Sequence, residues 1–290
     1  MLYVGEAVTG WAALGWQGGR WFTGTVGDGS ALLPVPLVTE RHVLHQPGIE
    51  ISQEFLGRWE RQFLDGLVIT SALRSVCYEA RYADTLPRAV IAVDMAAYSD
   101  LLSLDELAPY VAAQMAPTGI GQTRKALALA DENSWSPQEV AMRMVWTRRG
   151  DRPRPLCNVP VFDRWGHHVG TPDLLDPVAG VAGEYDSALH LVGMQRTKDV
   201  RREGDFRSLG LEYVTMLGSD RSDDYRSFLL RLDTAYGHAR YADEATRPWT
   251  IVPPVVGRHH LRRCAPEPAA RAAGPAAAVP PRRVSSPPLR

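Results

Sequence analysis

The stretch TPDLLDPVAGVAGEYD, residues 171 to 186, limits most sharply what the second half of this chain can become. Small and branched residues lead into Glu184, so the segment around residues 178 to 186 reads as a buried strand that ends in carboxylates. Side chains two apart on a strand share a face, which puts Glu184 and Asp186 on one side, where Asp173 from the preceding strand can join them. Converging carboxylates repel one another unless a cation neutralises them. A hard divalent ion such as Mg²⁺ or Mn²⁺ takes oxygen ligands of this kind, together with waters and substrate phosphates. The chemistry implied is phosphodiester hydrolysis; the plainer alternative makes Asp173 a turn cap and Glu184 and Asp186 a solvated strand end.

The flanking sequence supplies a topology. In SPQEVAMRMVW, Ser136 is the expected N-cap, Pro137 the first helical residue and Glu139 the reciprocal capping partner, with Val140, Met144 and Val145 forming an apolar face. LCNVPVFDRWGHHVGTPDLLD reads as two β runs around a turn at residues 165 to 170. MQRTKDVRREGDFRSLG reads as a helix closed by Gly210, and LEYVTMLG as a further strand. The predicted order is helix, three strands, helix, strand.

With Glu139 on the first helix, Asp173 on the second strand and Glu184 on the third, this order resembles the PD-(D/E)XK nuclease fold. More narrowly, GEYDSALH followed by QRTKDVRREGDFRSLGLEYVTMLGSD is similar to the nuclease-like domain related to very-short-patch repair endonucleases, over about residues 134 to 220. The resemblance implies an αβββαβ core, Mg²⁺ or Mn²⁺ held by Asp173 and Glu184 with Glu139 assisting, and Asp186 or His190 positioning water or metal. The family's helical Asp and basic residues fall on Asp199 and on Arg201 or Arg202. The third-strand motif of such nucleases usually ends in Lys, whose charge can orient water or stabilise a phosphate. Asp186 stands there instead. A compensating cation then has to come from Lys198, Arg201 or Arg202, which are also the candidate DNA-phosphate contacts. Glu139 remains either a capping residue or a ligand. His190 lies near the site or is a hydrogen-bonded core imidazole.

Residues 1 to 130 are organised differently. Residues 4 to 15 have Ala, Val and Trp at helix-compatible positions, and residues 21 to 46 contain β-rich runs such as LLPVPLV. Helices are expected within 71 to 83, across 87 to 97 and from 104 to 114, the last started by Ser103 with Glu106 three residues on. The run GLVITSALRSVCYEARYADTLPRAVIAVDMAAYSD resembles the region found with AbiEi-type antitoxin domains, on Thr70, Ser71, Arg74, Ala89, Val90 and Asp94. That class pairs a winged-helix-like DNA reader with other modules.

Charge places any DNA attraction locally. The chain carries a formal net charge of −1, yet residues 258 to 290 hold seven Arg against one Glu, so this tail is +6 and the rest −7. Built from Ala, Pro, Arg and Ser, the tail cannot bury a core and reads as disordered. The three cysteines, Cys77, Cys157 and Cys264, lack the spacing of a zinc site or a disulfide framework. Neither a secretory signal nor a membrane span is legible, which points to the cytoplasm.

The sequence therefore predicts an α/β protein with an α+β region over residues 1 to 130, a nuclease-like domain over 131 to 240, an extension over 241 to 257 and a tail over 258 to 290. The expected activity is that of a metal-dependent DNA endonuclease acting in defence against foreign DNA. The rival expectation is a catalytically inactive DNA-binding regulator or antitoxin, whose partner is a toxin or another protein.

Overall fold

In the computed structural model, the residues described are 6–25, 29–44, 46–115, 117–186 and 202–254. The chain divides into two units, Met1–Pro253 and Pro254–Arg290, and the description that follows concerns the first. The architecture is mixed α/β, and among the described residues no helix is long and apolar enough to cross a membrane.

The first part builds a five-stranded sheet from β1 (Glu6–Val8), β2 (Val35–Thr39), β3 (Ile49–Ser52), β4 (Arg61–Leu64) and β5 (Leu67–Thr70), in the order β3-β2-β1-β5-β4. The helical pattern expected over residues 4 to 15 is split in two, β1 and then α1 (Gly10–Trp16). Glu6 and Ala7 are both buried because β1 is the central strand, so the alternation that marks a strand is missing from its sequence.

Four helices follow: α2 (Ala72–Tyr82), α3 (Leu86–Tyr98), α4 (Leu104–Ala113) and α5 (Ile120–Leu129). The hydroxyls of Ser71, Thr85 and Ser103 cap the first three, and Ser103 with Glu106 forms a full capping box. α5 starts after Gly119 at φ +77° with no side-chain cap, which is why no start signal announced it. Leu14, Val76, Val90, Val93, Leu107 and Val111 build the core of this part.

α6 (Pro137–Arg148) joins the two parts. Ser136 caps it and Pro137 opens it, as its sequence predicts. Val140 and Met144 enter the core of α2 to α5, whereas Met142, Val145 and Trp146 enter the core of the second part. Between those two apolar stripes Arg143 points inward, donating to Asp94 on α3 and to the Leu129 carbonyl. The Asp131 backbone N–H donates to the same Asp94 carboxylate at 2.9 Å.

The second part contains a four-stranded sheet in the order β11-β10-β9-β6, from β6 (Leu156–Cys157), β9 (Leu174–Asp176), β10 (Val181–Asp186) and β11 (Glu212–Leu217). β9 runs antiparallel to both β6 and β10, and β11 is parallel to β10. Between β10 and β11 lies α7, described over 202–208 and closed by Gly210 at φ +77°. Within this sheet the chain order is α6, β6, β9, β10, α7, β11, after which α8 (Arg226–His238) packs on the sheet. The expected two-run hairpin is instead four strands. β7 (Val161–Asp163) and β8 (His168–Gly170) leave the main sheet and, with β12 (Trp249–Thr250), form a three-stranded sheet in the order β12-β7-β8. Asn158 in the left-handed region and Pro160 separate β6 from β7, and Pro172 separates β8 from β9.

Candidate functional site

Three carboxylates, Glu139 on α6, Asp173 just before β9 and Glu184 on β10, lie near one another where α6 crosses the β9–β10 pair. Leu174 lies opposite Gly183 in the last pair of the antiparallel register, and Asp173, at the bend just before β9, lies close enough to Glu184 on β10 for the two carboxylates to repel each other. Gly183 is what lets α6 come close: a Cβ there would stand 2.6 Å from Met142 Cε and 2.9 Å from Trp146 Cζ3. That close approach carries Glu139, in the first turn of α6, to the sheet.

Each carboxylate is held. The Tyr185 backbone N–H donates to Asp173 Oδ2 at 2.7 Å. Glu139 Oε2 accepts from the Trp135 backbone N–H at 2.8 Å and from Asn158 Nδ2 at 2.7 Å. It therefore does not close the predicted reciprocal box with the Ser136 backbone, although Ser136 Oγ does accept from the Glu139 N–H. Arg202 Nη1 donates to Glu184 Oε1 at 2.9 Å, and the Tyr213 hydroxyl is hydrogen-bonded to Glu184 as well. Tyr213 in turn stacks on Phe206. Gly170, at the end of β8, makes room for Phe206, since a Cβ there would lie 2.9 Å from Phe206 Cζ.

Asn158 organises the cluster and was not singled out from sequence. It sits at φ +48°, a conformation Asn tolerates better than most residues, and is buried. Its backbone N–H donates to the Asp173 carbonyl at 3.0 Å while its side chain holds Glu139, so one residue ties the helix carboxylate to Asp173. The only trace in the sequence is an Asn placed just before a strand break.

Electrostatics follow from this crowding. Burial, then the negative charge of Glu139 and of Glu184, push the Asp173 carboxyl up to about 8, against the opposing pull of the Tyr185 N–H and Arg202. A cation beside Asp173 would restore its ionised form. The all-oxygen donors suit Mg²⁺ or Mn²⁺, and the fit is to the neighbouring pair Asp173 and Glu184, because one or two carboxylates plus waters and phosphate oxygens are the usual Mg²⁺ shell. Among the described residues no group of three or more His, Cys, Asp or Glu side chains is placed to cage a metal on its own.

Of the residues expected at the site, Glu139, Asp173, Glu184 and Arg202 are thus neighbours. Asp186 lies at the exposed end of β10. His190, Lys198, Asp199 and Arg201 lie outside the described residues, as does the tail over 258 to 290. Trp165 is exposed at the β7–β8 turn with the Arg164 guanidinium over its ring.

A second polar centre lies in the first part, beside a cleft of about 770 Å³ lined by β3, α2 and α4. Arg81 grips Glu54 through two hydrogen bonds at 2.8 and 2.9 Å, Arg74 adds a third at 2.6 Å, and the Tyr82 hydroxyl also donates. Burial would raise the Glu54 carboxyl, but these donors and the two guanidinium charges outweigh it and hold the group down at about 2. Arg74 and Arg81 are seven apart and so share one face of α2, the one trace of this centre in the sequence. The arrangement staples the 53–57 loop to the helix.

No family of known proteins, no curated protein and no solved structure matches this chain.

Proposed function

We propose that the chain is a metal-dependent DNA endonuclease of the PD-(D/E)XK type, with Asp173 and Glu184 as the metal-binding pair and Glu139 as the third carboxylate. The observation that carries this reading is the proximity of Asp173, just before β9, to Glu184 on β10, with Glu139 also near enough to raise the Asp173 carboxyl. The order α6, β6, β9, β10, α7, β11 supports it as well. A bound Mg²⁺ or Mn²⁺ would lower the pKa of a coordinated water and neutralise charge on the scissile phosphate. The protein's own part is to hold Glu139 through Asn158, to orient Asp173 through the Tyr185 N–H, and to set the Arg202 guanidinium beside Glu184, where it can meet a phosphate oxygen. Defence against foreign DNA is the role in which such an activity would serve. The test is incubation of the purified protein with plasmid, linear and single-stranded DNA in Mg²⁺, Mn²⁺ or EDTA. Cleavage in metal that stops in EDTA is expected, and inertness toward every substrate would refute the proposal.

One observation favours a second reading, a DNA-binding regulator or antitoxin without turnover. Asp186 stands where such nucleases usually have Lys, and it is exposed at the strand end. Asp186→Lys separates the two: newly gained cleavage in an otherwise inert protein marks a nuclease fold that has lost catalysis. Wild-type cleavage undiminished by the exchange rules the second reading out.

A further inference from the structure

β4 is an edge strand that carries an exposed aromatic side chain. It is last in the order β3-β2-β1-β5-β4, and Phe55, Trp59 and Phe63 along residues 55 to 63 are 81%, 88% and 73% exposed. Arg58 lies over the Trp59 ring at 5.5 Å. Single exposed apolar residues are ordinary, but Phe63 on the open strand itself, with Trp59 just before it, leaves large aromatic surface bare at a free sheet edge, a feature that marks an interaction surface, whereas Phe55 lines the cleft beside β3.

The hairpin fixes which backbone groups of β4 face outward. Asp65 and Gly66, at φ +48° and +83°, make a two-residue turn with both central residues in the left-handed region, so Leu64 and Leu67 form the hydrogen-bonded closing pair. Pairs alternate along an antiparallel ladder. Gln62 opposite Ile69 is then the next bonded pair, while Arg61 opposite Thr70 and Phe63 opposite Val68 are non-bonded pairs whose N–H and C=O groups point away from β5. Among the described residues nothing accepts from or donates to those outward backbone groups.

We propose that β4 pairs antiparallel with β4 of a second copy of this chain, centred on Gln62. In that register Arg61 of each copy faces Phe63 of the other, and their outward backbone groups satisfy one another. Asp65, on the turn, comes diagonally beside Arg61 of the other copy, whose guanidinium also donates to its own Leu56 carbonyl at 3.1 Å and stands 3.9 Å from Glu40, so opposite charges approach at both ends of a two-fold axis. Trp59 and Phe63 of the two copies are covered together, giving a ten-stranded sheet through the interface. This inference is independent of the reading of the acidic cluster.

Two measurements on the full chain test it. Light scattering after size exclusion is expected to give a mass twice the 32.0 kDa of the chain. Amide exchange is expected to show Arg61 and Phe63 protected in the dimer relative to Phe63→Glu, with Gln62 and Leu64 equally protected in both, since their amides already bond to β5. Gln62→Lys, which sets like charges face to face across the axis, is expected to give a monomer whose far-UV circular dichroism matches the wild type. A monomer at every concentration, a dimer that survives both substitutions, or protection of Arg61 and Phe63 that appears only when duplex DNA is added would each overturn the proposal.

Discussion

Arg202 lies 2.9 Å from Glu184, so the carboxylate that ends the buried run of β10 meets a cation delivered by the following helix. Opposite charges this close compete with any metal ion for the same oxygen. Arg202→Gln should therefore lower the Mg²⁺ or Mn²⁺ concentration needed to raise the melting temperature, while reducing DNA cleavage through loss of a phosphate-facing charge. Thermal melts across a metal titration read the first effect. An unchanged midpoint would mean that Glu184 is not a ligand.

Gly183 sets the distance between α6 and the sheet. Adding a methyl group at this position would overpack it against Met142 and Trp146, both fully buried, so Gly183→Ala should destabilise by about 1–3 kcal/mol. The double variant with Met142→Ala should recover part of that loss in urea unfolding, because the Met142 methyl is the nearest atom. Equal stability of wild type and Gly183→Ala would show that the helix moves freely against β10.

Asp94 and Arg143 join the two cores through a buried ion pair whose side chains are 0% and 2% exposed. Asp94→Ala leaves the guanidinium without its counter-charge in a dry site and should cost about 3–5 kcal/mol. Because α6 serves both cores, denaturation followed by probes in either part should shift together. A shift confined to one probe would mean that the two parts unfold independently.

Glu79 makes stability depend on pH. Burial, partly offset by the Trp11 N–H, pushes its carboxyl from 4.5 up to about 7. The folded protein thus binds a proton between those values that the unfolded chain releases, so this contribution is fully present below about 4.5 and is lost as pH rises through about 7. Glu79→Gln keeps an acceptor for Trp11 and should flatten the wild-type decline over that window by on the order of 1–3 kcal/mol. Parallel stability curves for the two proteins would contradict the assignment.

Local chemistry made much of the helical framework readable. Ser136 with Pro137, Ser103 with Glu106, and Gly210 after α7 each announce a helix end through backbone groups satisfied within a few residues. The nearness of Asp173 to Glu184 was also readable, since the ten residues between them fold back as β9 and β10, although Asp173 sits at the bend before β9 and not on a strand. What was not readable depends on distant partners. Glu139 turns to Trp135 and Asn158 instead of the Ser136 backbone because Asn158, just after β6, lies beside the helix, which no local pattern encodes. β1 escaped notice because both its faces are covered. The Glu54 clasp joins residues 20 and 27 positions apart, and only the shared face of Arg74 and Arg81 hinted at it.

The central claim is that Asp173 and Glu184 hold the ion on which cleavage depends. Its most direct measurement is cleavage of plasmid DNA in Mg²⁺ and Mn²⁺ by the wild type and by Asp173→Ala, with circular dichroism confirming that both are folded. The account predicts cleavage by the wild type, none by the variant, and DNA binding retained by both, because removing a carboxylate lessens repulsion of phosphate. Equal activity, or equal inertness, of the two proteins in every metal would contradict it.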